Sequence, residues 1–457
     1  MSITQRPHFG TDGIRGNAEQ ELTNHFVYAL GKAIGSAIID EHPDDIESIE
    51  IIIGRDTRPS GERILYSLAS GLSSLGIDVV NIGILPTPGI SLNAEKRNSY
   101  ACAITASHNP VQDNGIKVFS QGGVKTDEIF EEKIESLLNK FLQDEYDTDN
   151  FATIKINDNS KLAYETYINW LHSVFETLSL SGLTIALDCA NGASCKSAPE
   201  IFTKLDANVL AINTQENGIN INNKCGATNL ESLTKFVNTN PVDIAFAFDG
   251  DADRIIVLDE NAKIYNGDHI LALFALNQNL DPKTVVATSM SNGGLKQFLN
   301  NIDTNFIETE VGDKNVTQAM KVSSSKIGGE QSGHIIHSDY AFFGDGVLIA
   351  LLISEIYAKK KKIMQKYKSS ELLNLFEPMV QIHEKVQVSN KALAATSINI
   401  EEAIKQHLFM LGENARIVIR PSGTENIVRI MVEADEKDMA EKSIIELIDI
   451  VKESCKE

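Results

Sequence analysis

The sequence predicts an α/β protein with three related mixed-sheet units followed by a smaller carboxyl-terminal α+β domain. Apolar, strand-like runs that end in polar loops recur along most of the chain and alternate with helix-like segments. The segment 415–454 instead reads strand, loop, strand and helix. The 457 residues also exceed one ordinary core, because single cores stop growing at about 250–300 residues. Together these observations favour several α/β domains.

The first unit shows the strand-then-loop pattern most clearly. "IEIIIGRDTR" (49–58) predicts a buried strand ending in a polar loop, and "SGERILYSLASGLSSLG" (60–76) predicts a helix closed by glycine. "IDVVNIG" (77–83) predicts another strand, and "YACAITASHNP" (100–110) repeats the pattern. An acidic helix-like stretch, 127–150, ends in a polar tract that marks a boundary near its end. Ligands of such sheets bind where loops leave the strands' carboxyl ends.

The later units repeat this design. Strand-and-loop pairs at 183–194 and 242–254 form the second unit, and runs at 284–294, 306–314 and 326–334 form the third. A long helix with a lysine run, "VLIALLISEIYAKKKKIMQKY", precedes the last domain. The predicted domains are 1–155, 156–258, 259–371 and 372–457.

Composition and charge exclude several classes of function. The chain is 42% apolar and 23% charged, as in well-packed globular proteins. Its net charge of −22 opposes general binding to nucleic acids or anionic membranes, so an anionic ligand needs a locally basic pocket. The start "MSITQRPHFG" has no apolar signal segment and no apolar run is long enough to span a bilayer, which predicts a cytoplasmic location. The five cysteines include no C-x-x-C pair, which argues against a zinc site or disulfide frame.

The sharpest local motif is "DGDADR", directly after the apolar run "IAFAF". Asp249, Asp251 and Asp253 place three carboxylates at alternate positions, and such close anions repel unless a cation neutralises them. Ligation by oxygen alone favours Mg²⁺, Ca²⁺ or Mn²⁺. An EF-hand is excluded, because Arg254 stands where that calcium loop needs glycine and the flanks are strand-like. Mg²⁺ held by three aspartates keeps open positions that a substrate phosphate or water commonly fills.

A second motif, "RPSGTEN", predicts a phosphate-binding loop near the carboxyl terminus. Its small residues expose backbone N–H groups, and its hydroxyls and flanking arginines can donate hydrogen bonds to an anion. The candidate contacts are Arg420, Ser422, Gly423, Thr424 and Arg429.

Other polar loops supply candidates for sugar binding and proton transfer. In "GGEQSGH", the spacing of Glu330 and Ser332 suits the vicinal hydroxyls of a sugar. Arg15, between the glycines of "GTDGIRG", is expected to be an exposed cation on a tightly turned backbone. Lys117 in "DNGIK" can move a proton if its pKa is lowered, and is otherwise an ordinary surface lysine.

Ser107, in "TASHNP", stands beside His108 and suggests half of a hydrolase dyad. The G-x-S-x-G pattern of a nucleophile elbow is missing. Because neighbours in an extended chain point to opposite sides, His108 is expected to be poorly placed as a base. A phosphoryl group on Ser107 would instead supply the missing metal ligand, so we interpret Ser107 as a phosphoryl carrier.

Six motifs together resemble the α-D-phosphohexomutase family over nearly the whole chain, in the right order: "GTDGIRG", "TASHNP", "DNGIK", "DGDADR", "GGEQSGH" and "RPSGTE". The forms "FGTDGIRG" and "GGEQSGH" are most similar to the bacterial branch that acts on glucosamine phosphates. In the phosphomannomutase/phosphoglucomutase branch the sugar loop more often reads "GGEMSGH". Ala252 and Asn426 depart from the family, in which glycine and proline are common. Ala252 is expected to leave metal binding intact, and Asn426 to loosen the phosphate loop.

The resemblance implies four domains around a central cleft and interconversion of glucosamine 6-phosphate and glucosamine 1-phosphate, toward UDP-N-acetylglucosamine and cell-wall precursors. It implies a phosphoserine, bound Mg²⁺, and a hexosamine or hexose 1,6-bisphosphate as activator. The expected partner is a phosphorylated amino sugar, without nucleic acid or membrane, and the expected state is a monomer or homodimer. By position, the implied catalytic residues are Ser107, Lys117, Arg15 and His334; the metal ligands Ser107, Asp249, Asp251 and Asp253; the substrate contacts Glu330, Ser332, Arg254 and Lys314; and the phosphate contacts Arg420, Ser422, Gly423, Thr424 and Arg429.

Two other functions remain open at this point. A phosphomannomutase/phosphoglucomutase would use the same residues on other hexose phosphates. A non-catalytic sugar-phosphate-binding protein is less favoured, because the serine and all three aspartates are present.

Overall fold

The computed structural model describes residues 8–10, 12–43, 49–146, 156–422 and 426–456. Gly423 and Thr424 of the predicted phosphate loop, and the predicted domain boundary near residues 150–155, lie outside these ranges. The chain divides into two compact units, Met1–Ser289 with Ile307–Asn374 and Met290–Phe306 with Leu375–Glu457. The four domain boundaries derived from the sequence stay a prediction.

The first sheet is mixed and has, within the described residues, the strand order β1-β2-β6-β5-β3-β4-β8, with β7 on β6. Its parallel strands β3, β4 and β5 carry short apolar runs, because helices cover both faces of such a sheet. The strands predicted in this unit and the helix at 60–76 are confirmed. The elements are β1 (Phe9–Gly10), β2 (Gly13–Asn17), α1 (Asn24–Glu41), β3 (Glu50–Arg55), α2 (Gly61–Ser73), β4 (Asp78–Ile84), α3 (Thr87–Arg97), β5 (Tyr100–Ile104), β6 (Asp113–Ser120), β7 (Val124–Lys125), α4 (Glu128–Phe141) and β8 (Asn157–Asp158).

The second sheet, also mixed, has the order β10-β9-β11-β12-β13 in the described chain. Strands β11 and β12 form an antiparallel hairpin in which Phe248 lies opposite Ile255, so the residues between them form its loop. Strand flanks, rather than helices, agree with the exclusion of an EF-hand. The elements are α5 (Ser160–Val174), β9 (Thr184–Asp188), α6 (Ser197–Lys204), β10 (Asn208–Ile212), α7 (Glu231–Thr239), β11 (Ile244–Phe248), β12 (Ile255–Asp259) and β13 (Ile264–Tyr265).

The third sheet has the order β15-β14-β16-β17 across the described strands, with β14 and β16 parallel and β16 and β17 antiparallel. The long helix predicted at 347–367 is confirmed as α11. None of the helices in the described ranges combines the length and apolarity that crossing a bilayer requires. The elements are α8 (Gly267–Asn277), β14 (Thr284–Thr288), α9 (Gly293–Asn301), β15 (Asn305–Thr309), α10 (Asp313–Ser323), β16 (Ile327–Gly329), β17 (Ile335–His337), α11 (Gly346–Ile363) and α12 (Ser369–Leu373).

The carboxyl-terminal sheet is antiparallel, with the described strands in the order β18-β20-β19. Its apolar core lies between the sheet and two helices. The two predicted strands and the helix that follows them are confirmed, whereas β18 and α13 were not predicted. The elements are β18 (Val380–Gln387), a 3₁₀ helix (Lys391–Ala395), α13 (Ile398–Leu411), β19 (Arg416–Pro421), β20 (Ile427–Ala434) and α14 (Lys437–Ser454).

Helix α11 begins at a buried carboxylate. The Asp345 side chain caps it by accepting hydrogen bonds from the N–H groups of Val347 and Leu348, both at 3.0 Å. The Tyr167 hydroxyl of α5 also donates to this carboxylate, at 3.0 Å. Burial outweighs these donors and raises the pKa of Asp345 to about 6.

We expect Asp345→Asn to remove a free-energy cost of folding that grows with pH. The pKa of Asp345 is about 6 in the folded protein and about 3.9 in the unfolded chain, so the folded protein loses stability as pH rises above 3.9 until this carboxyl is ionised in both states. The stability of Asp345→Asn relative to the parent should therefore increase by about 1 kcal/mol from pH 5 to pH 8. Denaturant unfolding at both pH values measures this difference, and a constant difference would contradict the prediction.

Candidate active site

The structure brings Ser107 and the "DGDADR" loop together. Ser107 follows β5, and the aspartates form the hairpin loop after β11. The Ser107 hydroxyl donates a hydrogen bond of 2.5 Å to Asp249 Oδ2, although the two residues are 142 positions apart. Both side chains are fully buried. A buried hydroxyl group and a buried carboxyl group thus meet at this point.

Three carboxylates of this loop form a cluster that could hold a metal ion. One oxygen from each of Asp249, Asp251 and Asp253 lies within 4.8 Å of the others, and all three residues are buried. Within the described part of the chain, Oδ1 of Asp251 and Oδ1 of Asp253 have no hydrogen-bond partner. Buried carboxylate oxygens without donors are unfavourable unless a cation binds them. The donor set, oxygen only, fits a hard divalent cation.

The aspartates differ in their electrostatic surroundings. Burial, with the charges of Asp253 and Asp251, raises the pKa of Asp249 well above its ordinary value. Burial would also raise the pKa of Asp253, but Lys117 and then His334 and neighbouring cations hold it well below its ordinary value. The cluster therefore has cations on the side of Asp253 and an excess of negative charge near Asp249.

Lys117 lies at the centre of the cationic side. Its Nζ is 2.8 Å from carboxylate oxygens of Asp12, Asp251 and Asp253. Burial alone would lower the pKa of Lys117, but the three carboxylates outweigh it and raise the pKa well above the ordinary value. Both readings of Lys117 were therefore wrong: its pKa is not lowered, and it is not a surface lysine. Arg15, which donates to Asp12 at 2.8 Å, is half-buried rather than exposed.

His334 and Arg254 lie on the other side of Asp253. Asp253 Oδ1 is 3.9 Å from His334 Nδ1 and 3.9 Å from Arg254 Nε. His334 Nε2 is 3.6 Å from an oxygen of Asp313. Burial would lower the pKa of His334, but Asp253 and Asp313 outweigh this effect and raise it. The structure thus brings together Ser107, the three aspartates, Lys117, Arg254 and His334. The roles that the sequence assigned to them stay predictions.

His108 is closer to Ser107 than the extended-chain argument allowed. Its Nδ1 lies 3.3 Å from Ser107 Oγ. The argument was wrong because Ser107 is not extended: its φ of 51° is left-handed, which turns neighbouring side chains toward one side. Burial, followed by the nearby charges of Arg254 and Arg15, lowers the pKa of His108 to about 3. His108 is therefore a neutral imidazole beside the serine.

The sugar-loop candidates occupy several positions in the same unit. Glu330 accepts a hydrogen bond of 3.1 Å from the Gly312 N–H, at the start of α10. Ser332 is exposed. Lys314 Nζ donates to Glu131 at 2.5 Å, so α10 is joined to α4. The contact of Glu330 with Gly312 places the loop "GGEQSGH" beside the first helical turn of α10.

Sequence reasoning missed several residues that contact the candidate site, among them Asp12, Glu131 and Thr87. Asp12 pairs with Lys117 and Arg15, Glu131 pairs with Lys314, and the Thr87 hydroxyl donates to Asp251 Oδ2 at 2.6 Å. Asp12 lies inside "GTDGIRG", where an acidic residue near Arg15 was an available signal. Thr87 and Glu131 lie outside every recognised motif.

In the carboxyl-terminal unit, two arginines face each other across the sheet. Arg420 on β19 lies opposite Arg429 on β20, so two guanidinium groups that can donate hydrogen bonds to an anion start from paired positions of neighbouring strands. Lys391, which the sequence did not indicate, donates to the Ser422 carbonyl at 2.7 Å. Asn426, expected to loosen the loop, donates to the Ser389 carbonyl at 3.2 Å. Three cationic residues therefore lie at or near the described ends of the predicted phosphate loop.

Comparison with protein families covers most of the chain. Models of phosphoglucomutase/phosphomannomutase match its alpha/beta/alpha domain I at residues 6–145, domain II at 165–263, domain III at 266–376 and the C-terminal domain at 384–449. These matches follow the order of the four sheets described above.

Curated relatives match over nearly their full length. The chain is 39% identical to a phosphoglucosamine mutase of Syntrophomonas wolfei, with 96% of this chain and 97% of the relative covered. It is 38% identical to one of Clostridioides difficile, with 98% and 99% covered.

Solved structures share the fold. A phosphoglucomutase/phosphomannomutase family protein of Burkholderia thailandensis matches with a TM-score of 0.75 at 20% identity, over 97% of both chains. An Aspergillus fumigatus N-acetylphosphoglucosamine mutase, in complex with GlcNAc-6P and magnesium, matches with a TM-score of 0.66 at 17% identity, over 99% of this chain and 97% of that one. On its sequence and its fold, this chain belongs to the phosphoglucomutase/phosphomannomutase family.

Proposed function

We propose that the protein is a phosphoglucosamine mutase, which interconverts glucosamine 6-phosphate and glucosamine 1-phosphate. One observation carries the proposal: the Ser107 hydroxyl lies 2.5 Å from Asp249 within a buried cluster of three aspartates. This arrangement suits a serine that carries a phosphoryl group beside a divalent cation. Relatives of the same name, 38–39% identical over nearly the whole chain, support the choice of substrate.

The metal in this proposal is Mg²⁺. Asp249, Asp251, Asp253 and an oxygen of phosphorylated Ser107 would hold it, since the carboxylate oxygens without partners offer hard ligands. Bound there, the ion neutralises charge on the phosphoryl group during transfer.

The chain's own residues make the phosphoserine reactive and hold the substrate. The sugar hydroxyl attacks phosphorus, the bond between phosphorus and Ser107 Oγ breaks, and the hydroxyl proton is balanced by the proton that Ser107 Oγ gains, which gives a bisphosphorylated sugar and a free serine. After this intermediate reorients, Ser107 Oγ attacks the other phosphoryl group, the bond between that phosphorus and its sugar oxygen breaks, and the serine proton is balanced by the proton that the freed sugar oxygen gains. Lys117, kept protonated by its carboxylates, and Arg254 and Arg15 supply positive charge around the transferred group, and His334, whose pKa is raised by Asp253 and Asp313, lies beside them.

The substrate's second phosphate needs a separate site. Arg420 and Arg429, at paired positions of neighbouring strands, would bind it with Ser422, Gly423 and Thr424, because guanidinium groups donate forked hydrogen bonds to phosphate. Lys391 adds a third cation at the same loop. Glu330, Ser332 and Lys314 would contact the sugar. A 1,6-bisphosphate would act as activator by phosphorylating Ser107, and a monomer or homodimer stays the predicted state.

The proposal is tested with purified protein and three substrates side by side: glucosamine, glucose and mannose 6-phosphates. We expect kcat/KM for glucosamine 6-phosphate to exceed kcat/KM for glucose and mannose 6-phosphates at least about 10-fold. A site that forms a hydrogen bond with the amino group of the substrate discriminates against sugars that lack this group. Mass spectrometry of the intact protein should show one phosphate that glucosamine 6-phosphate removes. A preference for mannose or glucose phosphate would instead support a phosphomannomutase/phosphoglucomutase, and release of inorganic phosphate would indicate a phosphatase.

A further inference from the structure

An arginine outside the recognised site motifs lies beneath the Ser107 loop. Arg58, in the loop after β3, is fully buried. Its Nη2 donates to the carbonyl oxygens of Ser107 at 3.0 Å and Asn109 at 2.8 Å. Its Nη1 donates to the carbonyl oxygens of Pro110 at 2.5 Å and Asp113 at 2.9 Å. One planar guanidinium therefore binds three carbonyls of the Ser107 loop and the carbonyl of Asp113, the first residue of β6.

The fifth donor of Arg58 fixes its orientation. Nε donates to Asp56 Oδ2 at 2.9 Å, and that oxygen also accepts a hydrogen bond of 2.7 Å from the Thr105 hydroxyl. Asp56 and Thr105 follow β3 and β5, which are parallel neighbours, so their carboxyl ends lie at one edge of the sheet. The sheet thus places the arginine directly below the serine loop.

A second donor reaches the same carbonyls from another part of the chain. Asn222, between β10 and α7, donates through Nδ2 to the carbonyl oxygens of Ser107 at 2.8 Å and Asn109 at 3.1 Å. Gly250 of the aspartate loop packs closely against the Ser107 carbonyl group. A Cβ atom added to Gly250 would lie only 2.5 Å from the Ser107 carbonyl oxygen, so no side chain fits between them. The Ser107 carbonyl is therefore enclosed by three chain segments.

This enclosure holds an unfavourable backbone conformation. Ser107 has φ of 51°, and the left-handed region is unfavourable for a residue other than glycine. In this conformation the carbonyl points to Arg58 and Asn222 while Oγ points to Asp249. A relaxed backbone would turn the hydroxyl away from the aspartates.

We propose that Arg58 and Asn222 are positioning residues that hold Ser107 left-handed, so that its Oγ lies at the aspartate cluster for phosphoryl transfer. The inference rests on the proposed role of Ser107 as phosphoryl carrier. Arg58 is fully buried and its donors are taken by the loop, so its loss should lower the rate of transfer rather than weaken substrate binding.

Asn222→Gly gives the cleanest test. Asn222 itself has φ of 56°, which glycine adopts freely, so the variant removes the two hydrogen bonds without backbone strain. We expect kcat and the single-turnover rate of phosphate transfer from Ser107 to fall about 10- to 100-fold, with KM and Mg²⁺ affinity within about 3-fold of the parent. The matched control is Asn213→Gly, a left-handed asparagine of the same domain that bonds Ser232, which should keep the parent rate.

Arg58→Lys is the second variant. Lysine keeps a positive charge beside Asp56 but lacks the fork that reaches four carbonyls, so the same loss of kcat with unchanged KM is expected. If Arg58→Lys fails to fold, Asn222→Gly still tests the positioning role, because this variant keeps the ion pair between Arg58 and Asp56. A parent-like transfer rate in Asn222→Gly, or a rise in KM alone, would overturn the positioning role. A parent protein that carries no transferable phosphate would instead overturn the proposed function.

Discussion

Ser107→Ala is expected to reduce mutase turnover by at least about 10⁴-fold, because no other described hydroxyl occupies the position of its Oγ, 2.5 Å from Asp249. The serine is fully buried, and alanine leaves only a small void, so the fold should persist. Turnover with glucosamine 6-phosphate and phosphate content by intact mass measure the effect, and the variant should carry no phosphate.

Ser99→Ala is the matched control for this change. Ser99 is a buried serine just before β5, the strand that leads to Ser107, and its hydroxyl has no hydrogen-bond partner in the described chain. It should keep the parent's turnover and phosphate content. Near-parent activity in Ser107→Ala would eliminate the covalent role of this serine.

Asp251→Asn should weaken Mg²⁺ binding by about 100-fold and lower turnover at limiting Mg²⁺. Asp251 Oδ1 is buried without a partner, while Oδ2 accepts from Thr87 and Lys117. An amide of the same shape removes one negative charge and one hard oxygen ligand from the cluster. Titration calorimetry with Mg²⁺ measures the affinity directly, without reliance on activity.

Asp206→Asn serves as the control with the same change of charge. Asp206 is an exposed, left-handed residue after α6, a conformation that asparagine also favours. It should leave Mg²⁺ affinity and turnover unchanged. If Asp251→Asn bound Mg²⁺ as tightly as this control, the aspartate cluster would not be the metal site.

Much of the fold was predictable because its signals are local. Short apolar runs, each followed directly by a polar loop, indicated strands of a sheet covered by helices. These runs precede Asp56, Thr105, Asp188 and Asp249. The spacing of the three aspartates likewise indicated a cation site before any contact was known. Strand β18 and helix α13 were missed because they carry no comparable motif.

The environment of each site residue depended on contacts that a sequence does not record. Lys117 looked like a lysine with a lowered pKa or a surface lysine, yet three carboxylates from two distant segments raise its pKa. His108 looked misplaced because an extended backbone was assumed, whereas the left-handed Ser107 turns it inward. In both cases long-range packing reversed a local expectation.

The sequence by itself determined the kinds of groups available and the strand ends that carry them: a serine, three aspartates, several cations and an arginine-flanked loop. Only the tertiary structure decided which groups meet. Parallel pairing of β3 with β5 brings Arg58 under Ser107, and the β11–β12 hairpin brings Asp249 to its hydroxyl. The physical reason is that hydrogen bonds and charges act over a few ångströms, while residues that meet in this site, such as Ser107 and Asp249, lie 142 positions apart in the chain.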